Sequence, residues 1–255
     1  MRSLALILSM CFFGSVQAVD CAAESGPHTA ALVELYTSQG CSSCPPADRW
    51  LSSLGARGYA PGRVVPIALH VDYWDYIGWK DPYAKREFSL RQRKLTQLQR
   101  MALVYTPQVM LQGRDFRAWS GPAFDEAVSR INARPAAASL KLRIAALDAA
   151  GMRVGARAEV HDAGHRVDAA LYLAAYENRL ENRVTAGENR GRTLRHDYVV
   201  LEWQGPLGLT AGTLQVERLL PLLPGAMPTN SGVVAFVQNR RTAEVLQALM
   251  LPACE

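Results

Sequence analysis

Two cysteines three positions apart, Cys41 and Cys44, are the residues whose type and spacing most directly indicate chemistry. They follow the apolar run 30–36 and a Thr-Ser-Gln-Gly turn, and they precede a segment with helical composition. The first turn of a helix has unpaired N–H groups and the positive end of the helix dipole, which favour a thiolate. Because the thiolate is the reactive form in disulfide exchange, the pattern predicts Cys41 as attacking thiol and Cys44 as resolving thiol.

Other interpretations of the cysteine pair are a structural disulfide, a pair of buried thiols or a metal site. Zinc normally needs four ligands, and no second Cys-x-x-Cys pair follows. His70 ends the apolar run 64–71 and is expected at the same sheet edge as the cysteines. It would shuttle protons, form a structural hydrogen bond or, with Cys41 and Cys44, bind a soft metal such as copper.

The elements around the cysteines are predicted from apolar spacing. Residues 47–54 place one apolar stripe on a helix, and residues 84–101 have helical composition. The runs 30–36 and 64–71 have the length of buried strands. Residues 104–113 contain a Thr106–Pro107 pair that opens a short apolar strand, where a proline can be cis.

An aromatic and acidic segment, residues 72–82, is predicted as a loop after the second strand. Its rings, Tyr73, Trp74, Tyr76 and Trp79, would form a recognition surface, or they would be buried in the core. We take Tyr73, Trp74, Trp79 and Thr106 as the candidate substrate-binding residues.

Three segments together resemble a known family: VELYTSQGCSSCPPAD, LHVDYWDYIGWKDP and YTPQVMLQG. They are similar to a secreted bacterial thioredoxin-like family known as domain of unknown function 1223, within the thioredoxin superfamily. The resemblance implies a sheet of four or five strands flanked by helices, with a redox dithiol packed against a cis-proline loop. It assigns Cys41 and Cys44 to the redox pair, Pro107 to the cis-proline, and Glu34 to a buried acid that serves proton transfer.

The second half of the chain has a different pattern. After the linker 134–138, apolar and polar residues alternate over about six short segments separated by turns. This pattern is typical of an antiparallel sandwich of immunoglobulin-like size. The expected fold is therefore an α/β thioredoxin-like domain (residues 19–134) followed by an all-β immunoglobulin-like sandwich domain (residues 135–255). Within it, the arginine-rich and glutamate-rich stretch 177–196 is either a contact with the redox domain or a partner, or a solvated loop, which we favour.

The first 18 residues have the pattern of a signal peptide. Arg2 supplies a positive start, residues 4–13 an apolar core too short to span a membrane, and residues 16–18 a small-residue cleavage site. Cleavage after Ala18 would give an exported protein, periplasmic or secreted, without stable membrane insertion. An oxidising compartment permits disulfides, and Cys21 and Cys254 are then left for each other. The alternatives are a free thiol or an intermolecular link.

Composition narrows the function further. The 255 residues are 49% hydrophobic and 20% charged, with a net charge of +5, and the basic residues are interleaved with acids. Without a basic stripe or recognition motif, nucleic-acid binding is not expected. The sequence predicts an exported thiol–disulfide oxidoreductase without an organic cofactor, acting on protein or small-molecule disulfides and thiols. A copper-binding or metal-delivery protein and a non-catalytic binding protein are the alternatives.

Overall fold

The first half of the chain alternates strands with helices, as its apolar runs predict. The structure is a computed structural model and describes residues 21–148, 150–224 and 226–254. The expected signal peptide lies outside the described residues. Residues 21–134 form five strands and three α-helices: β1 (Cys21–Glu24), β2 (Ala31–Thr37), α1 (Pro45–Ser53), β3 (Val64–His70), α2 (Arg86–Leu98), β4 (Gln108–Leu111), β5 (Arg114–Asp115) and α3 (Pro122–Asn132).

The aromatic segment differs from its prediction as a loop. It contains a 3₁₀ helix, Asp72–Ile77, which ends at Gly78. Gly78 has a φ of 90°, a backbone conformation that a residue with a Cβ rarely adopts. A 3₁₀ helix is short and leaves little periodic pattern in a sequence, so the spacing of these residues did not predict it.

The second half of the chain is almost entirely strands. The elements are β6 (Ala138–Asp148), β7 (Gly151–Val160), α4 (Ala163–Arg166), β8 (Ala169–Glu177), β9 (Leu180–Arg183), β10 (Thr193–His196), β11 (Val199–Gly208), β12 (Thr213–Leu220), a 3₁₀ turn (Pro228–Asn230), β13 (Ser231–Asn239) and β14 (Val245–Pro252). The alternating pattern had indicated one strand over residues 194–203, which is divided between β10 and β11 near Tyr198, whose φ is 58°. The pattern did not predict β9, which lies in the polar stretch 177–196. It also missed β14, which lacks alternation because it is almost wholly buried.

One mixed sheet runs through both halves of the chain. Its eight strands have the order β14-β13-β8-β11-β3-β2-β4-β5. The halves meet where β11 pairs in parallel with β3, with Val199 opposite Ala68. The boundary expected at residue 134 therefore does not separate two sheets. Sequence patterns do not show this pairing because it joins strands more than a hundred residues apart.

Packing on this sheet forms three apolar layers. Leu51 of α1 and Phe124 of α3 pack with Val33 on one face of β2, whereas Phe88 of α2 packs with Tyr36 on the other face. Further along, a four-stranded antiparallel sheet of order β1-β6-β7-β12 packs against β8, β13 and β14. The chain is thus a mixed α/β protein consisting mostly of sheet. Among the described residues, no helix is long and apolar enough to cross a membrane.

The two ends of the described chain are joined by a disulfide. Cys21 lies in β1 and Cys254 follows β14, and their Cα atoms are 5.8 Å apart, within the distance that the predicted bridge requires. The bridge closes over a sequence separation of 233 residues. It links the edge of the four-stranded sheet to the last strand of the eight-stranded sheet.

Candidate functional site

The Cys-x-x-Cys pair lies in the turn between β2 and α1. Cys41 and Cys44 form a disulfide with Cα atoms 5.5 Å apart, as their spacing predicts. Cys44 is the residue immediately before α1 and already has helical angles, and Pro45 begins the helix. Cys41 lies one turn earlier, so only Cys44 is at the helix start itself. Both cysteines have 0% exposed surface.

The Thr106–Pro107 peptide bond is cis, in agreement with the sequence prediction. Pro107 immediately precedes β4, which pairs with β2 so that Gln108 lies opposite Tyr36. This pairing places the Pro107 loop at the end of the sheet from which β2 enters the cysteine turn.

The aromatic rings of residues 73–79 position the loops around the dithiol. Trp74 Nε1 donates to Thr106 Oγ1 at 2.7 Å, and Trp79 Nε1 donates to Gln39 Oε1 at 3.1 Å. The Tyr73 hydroxyl donates to Gln92 Oε1 at 3.1 Å. These three side chains are half-buried with their polar atoms already paired, whereas Tyr76 is 82% exposed. The segment therefore combines core and surface roles.

Glu34 is not part of the cysteine site, contrary to the role implied by the resemblance. Its carboxylate accepts two hydrogen bonds from Arg91, at 2.7 and 2.9 Å, and one from the Tyr36 hydroxyl at 2.8 Å. Arg91 belongs to α2, which covers the face of β2 opposite to α1. Because side chains alternate along a strand, Glu34 shares the α2 face with Tyr36.

Replacing Glu34 with glutamine is expected to destabilise the fold without changing exchange at the dithiol. The variant leaves the Arg91 guanidinium, whose side chain is only 10% exposed, without its counter-charge. Breaking such a buried pair costs about 3–5 kcal/mol of unfolding free energy. Urea unfolding measures the loss, and a Glu126→Gln variant, which removes an exposed i,i+4 pair with Arg130, is the control. A Glu34→Gln protein with normal stability but altered exchange kinetics would restore Glu34 to the site.

His70 is held by a buried carboxylate beside the dithiol turn. His70 Nδ1 lies 2.7 Å from Asp81 Oδ2, and the same oxygen accepts the Gln39 N–H at 2.8 Å. Burial acts to lower the pKa of His70, but the charge and hydrogen bond of Asp81 raise it above the usual value. Burial likewise acts to raise the pKa of Asp81, but the charge of His70 holds it below the usual range.

The metal alternative finds no support in this geometry. Across the described parts of the chain, no group of three or more His, Cys, Asp and Glu side chains is arranged to hold a metal ion. Cys41, Cys44 and His70 are therefore not brought together as a metal site. The two cysteines are bonded to each other, and one nitrogen of His70 is bound to Asp81.

The sequence analysis missed Asp48, and from the sequence His196 is expected to form only a structural hydrogen bond. Asp48 is 5% exposed and lies one helical turn after Cys44, and its Oδ2 is 3.8 Å from His196 Nδ1. Burial raises the pKa of Asp48 to about 7. Burial, together with the charge of His70, lowers the pKa of His196 to about 3. The sequence did contain a signal for Asp48, because this charged residue lies four positions after Cys44 and falls on the apolar stripe of α1.

Several buried polar atoms around Asp48 lack hydrogen-bond partners. Among the described residues these are Thr37 Oγ1, Asp48 Oδ1, His70 Nε2 and His196 Nδ1. A cavity of about 350 Å³ between α1 and β10 reaches this group; it is lined by Pro45, Asp48, Arg49, Thr193, Leu194, Arg195 and His196. A cavity of this size that is lined partly by charged side chains admits water. Asp48 is thus a buried acid with a route for proton exchange.

The hairpin of β9 and β10 completes the site from the second half of the chain. The two strands form a sheet of their own, and the loop between them brings Asn189 to the cysteine turn. The polar stretch 177–196 is therefore in contact with the dithiol region, and our preferred interpretation of it as a solvated loop was wrong.

Comparison with solved structures finds the same fold in two proteins. The first is a crystal structure of a protein from Agrobacterium tumefaciens, with a TM-score of 0.64, 24% identity, and coverage of 91% of this chain and 97% of that chain. The second is HBP35 of Porphyromonas gingivalis, with a TM-score of 0.66, 15% identity, and coverage of 90% and 76% respectively. At these identities the similarity shows the fold alone.

Comparison at the level of families covers most of the chain. No curated protein matches. A family described as protein of unknown function (DUF1223) matches residues 32–238, a range that includes the cysteine turn, the Thr106–Pro107 loop and the β9–β10 hairpin. The resemblance noted from the three sequence segments is thereby confirmed at the level of the family, and the chain belongs to the DUF1223 family.

Proposed function

We propose that this protein is a thiol–disulfide oxidoreductase with Cys41 and Cys44 as its redox pair. The observation that carries the proposal is the placement of the two cysteines, joined to each other, between a central strand and the start of α1, at the same sheet end as the Pro107 loop. The proposed substrates are protein or small-molecule disulfides and thiols. The chemistry needs no organic cofactor, because the two sulfurs carry the two electrons themselves.

The reductive direction of the reaction illustrates the roles. The Cys41 thiolate attacks one sulfur of a substrate disulfide, forming a mixed disulfide and releasing one substrate thiolate. The Cys44 thiolate then attacks Cys41 Sγ, which forms the Cys41–Cys44 bond and releases the second substrate thiolate. The substrate gains two electrons that the dithiol loses. In this proposal, the backbone next to Pro107 receives an extended substrate.

We infer a thioredoxin-like arrangement for residues 30–134. Its support is the order β2-α1-β3-α2-β4-β5-α3 together with the neighbouring strands β3-β2-β4-β5, in which β2 and β3 are parallel and β4 is antiparallel. For residues 135–255 we retain the prediction of an immunoglobulin-like sandwich, amended so that one of its sheets continues into β3. Export also remains part of the proposal, since two disulfides suit an oxidising compartment.

A non-catalytic role is the second candidate, and the burial of both cysteines favours it. Neither Cys41 nor Cys44 has exposed surface, which is also what a structural disulfide would show. Equilibration with dithiothreitol redox buffers, followed by alkylation and mass spectrometry, separates the two. The oxidoreductase hypothesis expects the Cys41–Cys44 pair to cycle reversibly and to exchange with a peptide disulfide. A pair that cannot be reduced in the folded protein, or that never exchanges, would leave the non-catalytic role.

Asp48 is expected to accept the proton of the Cys44 thiol. Cys44 has helical angles and Asp48 follows it by four residues, so their side chains lie on the same helix face. With a pKa of about 7, Asp48 is protonated below neutral pH and ionised above it. The rate of the Cys44 step should therefore rise through pH 7 in the wild type. In Asp48→Asn it should be slower above pH 7 by about 10²-fold, the lower range for a positioned base.

The rate of the Cys44 step can be measured directly with an aromatic disulfide that releases one coloured thiolate at each attack. Attack by Cys41 releases the first equivalent, and attack by Cys44 on the mixed disulfide releases the second. Asp48→Glu, which keeps the carboxylate, is the control and should retain the rise with pH. A second-phase rate that is identical in Asp48→Asn and wild type from pH 5 to 9 would exclude Asp48 as the acceptor.

A further inference from the structure

Both sulfurs of the candidate redox pair are closed off from solvent. Cys41 and Cys44 have 0% exposed surface, although Ser42 and Ser43 between them are exposed. Exchange requires another sulfur to reach one of these two atoms, so reaction depends on access. The segment that covers the cysteine turn therefore decides when the pair can react.

The loop 184–192, between β9 and β10, covers one side of the turn through polar contacts. The side-chain amide of Asn189, which is fully buried, donates to the carbonyl oxygen of Gln39 at 2.9 Å and to that of Cys41 at 2.8 Å. Next to it, Glu188 Oε2 accepts the Ser42 N–H at 2.9 Å. The loop thus binds the backbone on both sides of Cys41.

The other side of the turn is covered by the 3₁₀ helix. A Cβ on Gly40 would lie 3.1 Å from Ile77 and 3.3 Å from Trp74, so these side chains sit directly on the residue before Cys41. Ile77 also meets the loop 184–192, because a Cβ on Gly187 would come within 2.8 Å of it. The cysteine turn therefore lies between the loop 184–192 and the 3₁₀ helix, which contact each other.

The loop 184–192 is tied to the cysteine turn through its side chains, by the hydrogen bonds of Glu188 and Asn189. Its backbone hydrogen bonds are internal, from Val184 N to Arg192 O, from Gly191 N to Val184 O and from Arg190 N to Gly187 O. The 3₁₀ helix is instead tied to other elements, through Trp74 to Thr106 and through Tyr73 to Gln92. The loop can therefore leave as a unit once its contacts with the cysteine turn break.

We propose that Asn189 is the positioning residue that holds the loop 184–192 closed over the dithiol, and that sulfur exchange proceeds only through an open form from which Asn189 has withdrawn. The inference deepens the proposed function, on which it rests, by naming what regulates access to its site. Asn189 acts on the backbone around Cys41, not on the reacting sulfurs themselves.

Reduction of the oxidised protein by dithiothreitol tests the proposal. A dithiothreitol thiolate attacks one sulfur of the Cys41–Cys44 bond, the other leaves as a thiolate, and ring closure of the reductant releases the remaining protein thiolate. Acid quenching, alkylation and mass spectrometry give the rate at each reductant concentration. The native rate per unit concentration should be at least about tenfold below that of the same chain unfolded in urea, because only the locally opened fraction reacts.

Two variants in the same loop identify the residue responsible. Asn189→Ala removes both amide hydrogen bonds to the turn, together with the bond that Arg192 donates to Asn189 Oδ1 within the loop. Native reduction should become faster by about 10- to 30-fold, the effect of losing the two neutral hydrogen bonds to the turn. Arg190→Ala, whose side chain is exposed one position further on, is the matched control and should react as the wild type does. Hydrogen exchange in β2 and β3 should be unchanged in Asn189→Ala, which separates loop opening from general destabilisation.

Defined outcomes overturn the proposal. Equal rates for native and urea-unfolded protein would show that the dithiol is not covered, and this comparison uses the wild type, so it stands even if Asn189→Ala does not fold. Equal rates for Asn189→Ala and Arg190→Ala would remove Asn189 from the role. Faster reduction of Asn189→Ala without turnover of a peptide disulfide would contradict the oxidoreductase function. The role of Asn189 in closing the loop 184–192 would then still stand.

Discussion

Replacing Cys41 with serine is expected to abolish turnover of a disulfide substrate, whereas replacing Cys44 is expected to trap the substrate. Without the Cys41 thiol no mixed disulfide forms. In Cys44→Ser the first attack still occurs, but no second thiol is present to resolve the product. Turnover of a peptide disulfide measures the first effect. Non-reducing electrophoresis and mass spectrometry of the Cys44→Ser protein, mixed with peptide or with natural partners, measure the second.

The decisive result is the difference between the two variants: Cys41→Ser should lose turnover, whereas Cys44→Ser should accumulate the mixed disulfide. Ser42→Ala is a suitable control, because its side chain is exposed and the change leaves the backbone N–H that Glu188 accepts. It should retain turnover. Mixed disulfides that accumulate in Cys41→Ser but not in Cys44→Ser would show that Cys44 attacks and Cys41 resolves. Undiminished turnover in Cys41→Ser would refute the proposed function itself.

Removing the Cys21–Cys254 bridge is expected to lower the free energy of unfolding by several kcal/mol. The bridge spans a sequence separation of 233 residues, and the chain-entropy model assigns such a closure roughly 4–5 kcal/mol. Native disulfides typically contribute about 2–5 kcal/mol when measured by removal. The double variant Cys21→Ser with Cys254→Ser should lose an amount in this range, as measured by urea unfolding.

The control is the double variant Cys41→Ser with Cys44→Ser, which keeps the terminal bridge. It should preserve most of the stability. Peptide mapping under non-reducing conditions identifies which cysteines are paired in each sample. A double variant as stable as the wild type, or a map that joins Cys21 to Cys41 or Cys44, would contradict the assignment.

Whether the sequence predicts a structural feature depends on how far apart along the chain the residues that form it lie. The i,i+3 spacing of Cys41 and Cys44 brings the two sulfurs together through local backbone geometry alone. The runs that became β2 and β3 are recognisable because burial on both faces requires continuous apolar residues. The cis Thr106–Pro107 bond could also be anticipated, because the tertiary amide before a proline has only a weak preference for the trans form.

Errors arose where the role of a side chain depends on what packs against its face. Glu34 lies close to the motif along the chain, yet strand alternation turns it to the α2 face, where Arg91 neutralises it. Asp48 takes the position beside Cys44 because the helical period of 3.6 returns it to the same side. A charge on an apolar stripe was the available clue, and its meaning depends on what packs against the stripe.

The sequence by itself determined the family, the cysteine pair, the helices α1 and α2 and the strands β2, β3 and β4 of the first half, and the strand-rich character of the second. Only the tertiary structure decided that both halves share one sheet, that His196 lies beside Asp48, and that Asn189 covers the dithiol. Those contacts join residues more than a hundred positions apart, as in the hydrogen bond from Asn189 to the Cys41 carbonyl across 148 positions. Periodicity and propensity act within one element, whereas pairing between distant strands is selected by the burial of the whole sheet.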